Sequence, residues 1–268
     1  MTRKHRSVHA LALCASLAFL TPSAFAQAFD SVRLFSAAPG QEGGRVGLAV
    51  IAGHEYQGSD EQRTMAVPLI DYQWANGWFA GSTNGVGYNF SKRPDLQYGA
   101  RLTADFGRKA SRSQALNGMG DIDAKAELGG FFNYLLSREI SLSTSLRYGS
   151  GQDGNGVLAD VGLGYSTELT SALRLGLGVA ATVANADSMQ SYFGVTAAQA
   201  ASSGYASYKP GGGLRDVRAN LTLTYRINPK FSATAGISSS RLAGDASDSP
   251  LVRQKSTTTG LLALAYSF

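Results

Sequence analysis

Between Val157 and Leu169 the chain alternates one residue at a time. Val157, Ala159, Val161, Leu163, Tyr165, Thr167 and Leu169 fall on one side, and Leu158, Asp160, Gly162, Gly164, Ser166 and Glu168 on the other. Residues 173–184 and 217–227 follow the same rule, and 98–106, 124–136 and 140–148 read similarly. A helix would group apolar residues three and four apart, so a period of two means strands with one apolar face. No stretch after residue 26 approaches 18 consecutive apolar residues, the length that marks a membrane-spanning helix.

What lies on the second face decides the environment. It holds Arg101, Asp105, Lys125, Glu127, Arg147, Asp160, Arg174, Arg218 and Arg226, mixed with Gly, Ser and Thr. The first face is Leu, Val and Ala, with aromatics such as Tyr88, Tyr98, Tyr148, Tyr165 and Tyr225 near strand ends. A soluble lipocalin-like protein would turn its apolar face to a core. Apolar outside, polar inside and aromatic at the margins is the pattern of a membrane barrel, in which the charged set faces a lumen. Only a closed sheet leaves no unpaired backbone in lipid.

The connections also alternate. Short turns around 91–95, 137–139, Ser171 and 228–230 alternate with long polar stretches at 107–121, 149–156, 185–213 and 243–256. Such sidedness places short turns in the periplasm and long loops outside the cell. With both termini periplasmic the strand number is even. A hairpin across residues 78–90, turning at Asn84-Gly85, brings it to twelve; reading 78–90 as one strand leaves ten as the alternative. The expectation is a closed antiparallel transmembrane β-barrel over residues 45–268, preceded by a periplasmic segment at 27–44.

The start of the chain fits export. Arg3, Lys4 and Arg6 precede a 13-residue apolar run from Val8 to Leu20, then Ala24-Phe25-Ala26. This describes a secretory signal peptide, residues 1–26, with cleavage after Ala26. Leu13 before Cys14 is too large for a lipoprotein site. Three of the 24 basic residues fall in this segment and none of the 19 acidic ones, leaving 21 against 19. That near balance removes the case for a nucleic-acid partner. The rest of the chain has no cysteine, which excludes disulfides and thiolate metal sites.

Chemistry-bearing constellations are scarce. His54, in GHEYQGSD, is the one histidine beyond the signal segment. Near Glu55, Ser59 and Asp60 it reads more simply as a strand end entering a loop than as a catalytic rim. Asp121 and Asp123 in GMGDID read as a strand start rather than a cation site. No phosphate loop, zinc spacing or nucleophile elbow occurs. The expectation is therefore a protein that is not an enzyme and needs no cofactor. Twelve strands fall between side-chain-filled barrels of eight and open porins of 16, so the inward charges suit either a self-paired plug or a narrow pore.

Several segments resemble the MipA/OmpV family: EYQGSD at 55–60, NGVGYNF at 84–90, GMGDID at 118–123, YFGVTAAQAASSGYASYKPGGGLRDV at 192–217 and SRLAGDASDSPLV at 240–252. The resemblance covers nearly the whole exported chain and implies an outer-membrane barrel embedded in lipid. From the founding member it implies a scaffold joining a lytic transglycosylase to a bifunctional peptidoglycan synthase. Other members are described as adhesins or solute-related proteins. Within the 185–213 loop, AAQAAS (197–202) suits a helical turn or two. Tyr192, Phe193, Tyr205 and Tyr208 are expected to anchor the loop as a lid over the mouth. Finally, TTTGLLALAYSF puts Leu262, Leu264, Tyr266 and Phe268 on the lipid face. A terminal aromatic with apolar residues at alternate positions resembles the signal read by the barrel-assembly machinery, which assigns Phe268, Tyr266 and Leu264 to that signal.

Overall fold

The computed structural model describes residues 40–268. The predicted signal peptide and residues 27–39 of the 27–44 segment lie outside the described residues. Twelve antiparallel strands close into one barrel. They are β1 (Gly43–His54), β2 (Gln62–Gln73), β3 (Trp78–Gly81), β4 (Gly85–Asn89), β5 (Leu96–Asp105) and β6 (Lys125–Leu135). Then come β7 (Ile140–Ser150), β8 (Gly156–Glu168), β9 (Leu173–Ala184), β10 (Gly213–Arg226), β11 (Phe231–Leu242) and β12 (Ser256–Ser267). The twelve-strand count holds and ten does not. The first strand starts at Gly43, so the last two residues of the supposed periplasmic segment are already paired, opposite Gln73 and Tyr72.

The seam is formed by β1 and β12, with Val46 opposite Tyr266 and Leu48 opposite Leu264. Phe268 completes it: its N–H donates to Gly44 O at 3.0 Å, and its carbonyl accepts from Gly44 N–H at 2.9 Å. Alternation holds around the wall except at register shifts between Leu214 and Asp216 and between Tyr148 and Ser150. Leu48, Leu102, Leu128, Leu146, Val179 and Leu262 are exposed on the outside, while Arg101, Glu127, Arg147, Arg218 and Asn220 are buried on the inside. At the short-turn rim Trp78, Tyr88, Phe90 and Tyr98 form a run of ring contacts at 5.3–5.9 Å. Phe231, Tyr266, Phe268, Tyr72 and Trp74 form another at 4.9–6.2 Å. Such rings suit the polar–apolar boundary of a bilayer.

The β3–β4 hairpin is the short part of the wall. Its strands have four and five residues, and its tip turns at Gly85 with φ of +74°. A Cβ there would sit 2.1 Å from Leu102 O, so the site demands glycine. β3 pairs with β2 only at Asp71–Gln73. Ser82 N–H reaches Ile70 O at 2.7 Å, and above that point β2 is paired on its β1 side alone among the described residues. Pro68, which has no N–H to leave unpaired, lies on this stretch.

Candidate functional site: a charged lumen under an interlocked cap

All nine charged positions read from the sequence lie on the inward row of their strands, but the inner face is not the even mixture expected. The charges sit on β5 to β10. The middle of the opposite wall is apolar: Ala49, Ile51 and Val67 are buried together, with Met65, Leu69, Leu261 and Ala263 packed on them, and nearer the short turns Arg45 pairs with Asp71 at 2.8 Å. Lipid constrains only the outer face, so inward residues on β1, β2 and β12 are free to be apolar where they meet one another.

On the charged wall the groups satisfy each other. Arg147 donates to Glu127 at 3.2 Å and to Asp160 at 2.9 Å. Arg218 reaches Asp160 at 3.4 Å and Asp216 at 2.5 Å, and Arg215 reaches Asp216 at 2.7 Å. The Thr182 hydroxyl donates to Asp160 at 2.6 Å and accepts from Arg218 at 2.8 Å. Thr103 adds a bond to Glu127 at 3.1 Å, and Arg101 donates to Ser145 at 2.9 Å while lying over the Phe131 ring. Arg147, Arg215 and Arg218 thus face Glu127, Asp160 and Asp216, and within this network the charges balance. Arg215 and Asp216 were missed in the sequence. A register shift between Leu214 and Asp216 turns both side chains inward, as a bulge does, and strict alternation cannot express it.

Lys125 and Asp105 stand opposite each other at the long-loop end of β6 and β5. At the other end Arg174 pairs with Glu168 at 2.8 Å, and Arg226 approaches the same carboxylate at 3.8 Å. These two line a hollow of about 510 Å³ at the short-turn mouth, together with Arg45, Arg138, Lys230 and Glu139.

The long-loop mouth is covered. Helix α1 (Ala186–Phe193) is capped by Asn185, whose side chain accepts from Ser188 N–H. Helix α2 (Ala197–Ser203) has a capping box from Thr196 and Gln199 and ends at Gly204 in the left-handed region. The second matches the AAQAAS reading; α1 and the single turn α3 (Gly244–Ser247) were not foreseen. Met189 and Phe193 of α1 are 1% exposed and pack on Leu158, Ala184, Leu242 and Ala246. A second knot joins Met119, Val195 and Leu251, with Tyr205 and Tyr208 against it.

Polar contacts tie the same loops to the wall and to each other. Tyr192 hydroxyl donates to the Asp105 carboxylate at 2.5 and 2.6 Å, and Asp105 also accepts from Gly107 and Gly151 N–H. Burial and this carboxylate push the Tyr192 phenol well up. Arg108 donates to Tyr192 O at 2.9 Å, and burial lowers its pKa. Tyr205 hydroxyl donates to Ala115 O at 3.0 Å and Tyr208 hydroxyl to Asp245 O at 2.7 Å. Tyr56 from the β1–β2 loop donates to Leu251 O at 2.9 Å; burial first, then its neighbours, pushes its pKa up to about 12. Ser249 hydroxyl donates to Phe193 O at 2.6 Å. The four predicted anchors therefore all contact the wall or another loop.

The remaining candidates resolve structurally. His54 is half-buried at the end of β1, and Glu55 pairs with Arg63 at 3.3 Å. Asp121 and Asp123 both hold Lys109, at 3.0 and 3.1 Å, and Asp121 accepts from Ala110 N–H. Among the described residues no three His, Cys, Asp or Glu side chains gather to hold a metal.

A closed twelve-strand wall with an apolar exterior, an internally paired lumen and aromatic margins defines a β-barrel protein of the outer-membrane type. The chain belongs to the MipA family, since the family model described as MltA-interacting protein MipA matches residues 46–268. Solved barrels similar in shape include the NanC porin, with a TM-score of 0.48 and 10% identity over 82% of this chain and 98% of that one. The KdgM porin gives 0.44 and 11%, covering 84% and 99%. An outer membrane channel from Pseudomonas putida F1 gives 0.46 and 10%, covering 88% and 100%. No curated protein matches the chain at the significance required.

Proposed function

We propose that this protein is a non-enzymatic outer-membrane scaffold that presents its short-turn rim to the periplasm and docks a lytic transglycosylase there, with a bifunctional peptidoglycan synthase as the second guest. The observation that carries the reading is the cap. Four long loops interlock over the outer mouth, and the lumen charges beneath are spent on one another. Such a barrel offers little to a passing solute. Its accessible feature is the basic hollow at the short turns, on the side where murein enzymes work. The name of the family, MltA-interacting protein, supports a transglycosylase as partner.

The second reading is a narrow channel, favoured by the same 510 Å³ hollow, which is lined at the short-turn end by inward residues such as Arg174, Gly176 and Thr224. Two measurements separate them. Purified protein in planar bilayers is expected to stay silent, and stable single-channel steps would overturn a pure scaffold. Pull-down from solubilised envelopes is expected to recover the transglycosylase, with recovery reduced in an Arg138→Glu, Lys230→Glu variant; recovery of no murein enzyme would defeat the reading.

A further inference from the structure

The outer face of the barrel carries one exception to its own rule. Among the described residues, Arg241 is the sole Asp, Glu, Lys or Arg on the outward row of any strand. It is exposed on β11 in series with Phe231, Ala233, Ala235, Ile237 and Ser239, opposite Val217 of β10 and Ser256 of β12. No carboxylate or hydrogen-bond acceptor within the described residues holds it. The apolar belt continues beyond it toward the long-loop rim, because Leu214 and Val183 on the neighbouring strands are also outward and exposed. An unpaired guanidinium facing lipid is unfavourable, least so near the membrane surface, and it is stabilised where an anion meets it.

Two further features converge on this residue. A groove of about 560 Å³ runs down the outer wall from Arg241, with Val161, Leu163, Val179, Ala181, Ala219 and Ser239 along it. The small side chains of Ala181, Ala219 and Ser239 form its floor between larger Val and Leu neighbours. Beside Arg241 the outer face turns to hydroxyls: Ser239, Ser256 and Thr258 are placed together by the β11–β12 register. A cation, hydroxyls and an apolar trough below them match an amphiphile with a phosphate, a hydroxylated headgroup and an acyl chain.

We propose that this surface binds lipid A, the phosphorylated, multiply acylated sugar anchor of lipopolysaccharide, with a phosphate on Arg241 and an acyl chain in the groove. The choice over an ordinary phospholipid rests on the orientation proposed above, which places the long-loop rim in the leaflet that lipopolysaccharide fills. The sugar hydroxyls also both donate to and accept from Ser239, Ser256 and Thr258, whereas an ethanolamine ammonium can only donate.

The test is native mass spectrometry of the full protein purified in non-ionic detergent and given lipid A. Retention is expected to fall about tenfold in Arg241→Gln, as loss of one charge-assisted contact implies. It should fall comparably in Ala219→Leu, which leaves the charge in place and fills the trough. Both sites face lipid, so the folded barrel is retained and is checked by its heat-modifiable migration. Lipid A lacking phosphates should bind no better to wild type than to Arg241→Gln. Equal retention by wild type and Arg241→Gln overturns the proposal. So does phosphatidylethanolamine binding as tightly as lipid A, which would place Arg241 in the other leaflet, whereas scaffold activity would be unaffected by either result.

Discussion

Arg147 is 9% exposed and divides its guanidinium between two carboxylates on different strands. Removing it leaves Glu127, itself 1% exposed, without its ion-pair partner. A buried pair broken on one side costs about 3–5 kcal/mol, whereas replacing all members by neutral groups costs far less. Arg147→Ala is therefore expected to lower stability by about that amount in denaturant unfolding from micelles. The double change Arg147→Ala, Glu127→Gln should recover most of the loss, because Asp160 keeps Arg218 and Thr182 as partners. Tyr56 gives a second test at this scale. Its phenol is 5% exposed and its pKa rises from 10 to about 12 through burial first. The folded form thus holds its proton more tightly than the unfolded one. The contribution is complete below about pH 10 and fades as the pH climbs through about 12, a loss on the order of 3 kcal/mol. Protease cleavage in the long loops should accelerate across that window, and Tyr56→Phe should flatten the dependence.

At the scale of elements, the strands follow from their surroundings. Lipid outside forces an apolar residue at every second position, so β6 to β12 could be read from alternation almost to their ends. The interior has no such enforcer. Its division into a charged wall and an apolar wall comes from which inward side chains the strand register makes neighbours, as Ile51 of β1 lies beside Leu261 of β12 at the seam. The bulge at Arg215 is invisible for the same reason: alternation assigns Asp216 to the lumen with Arg218 and Asn220 but sends Arg215 outward, whereas it turns in and pairs with Asp216. Helix α1 has eight residues, too few to be stable alone, and exists because Met189 and Phe193 find Leu158 and Leu242 beneath them. The closing strand carries the prediction proper to this level. Deleting Phe268 removes two main-chain bonds to Gly44 and ring contacts with Tyr72 and Tyr266. Outer-membrane assembly, followed by heat-modifiable migration, should drop for the deletion and stay near normal for Ser267→Ala. Phe268→Ala, which keeps the main-chain bonds and loses only ring contacts worth about 1–2 kcal/mol, should fall between them if the ring is part of the assembly signal; assembly equal to Ser267→Ala would remove that role.

For the whole molecule, closure ties regions far apart in the chain. Tyr56 and Leu251 are 195 positions apart, and Tyr192 and Asp105 are 87 apart. The tyrosines and phenylalanine of the loop could be picked out as anchors because large aromatics in a polar stretch need somewhere to go. Which acceptors they would find depended on the barrel's circumference and register, which no local window contains. The half-length hairpin has a mechanical meaning as well. In a closed barrel, sideways pressure from the bilayer is carried by hydrogen-bonded hoops that run unbroken around the wall. At the level of Thr64 and Ala66 the hoop ends on the free edge of β2, where Pro68 has already given up its donor. The barrel is therefore stiff around ten of its strands and compliant along one vertical line beside β2, and any deformation the membrane imposes is concentrated there.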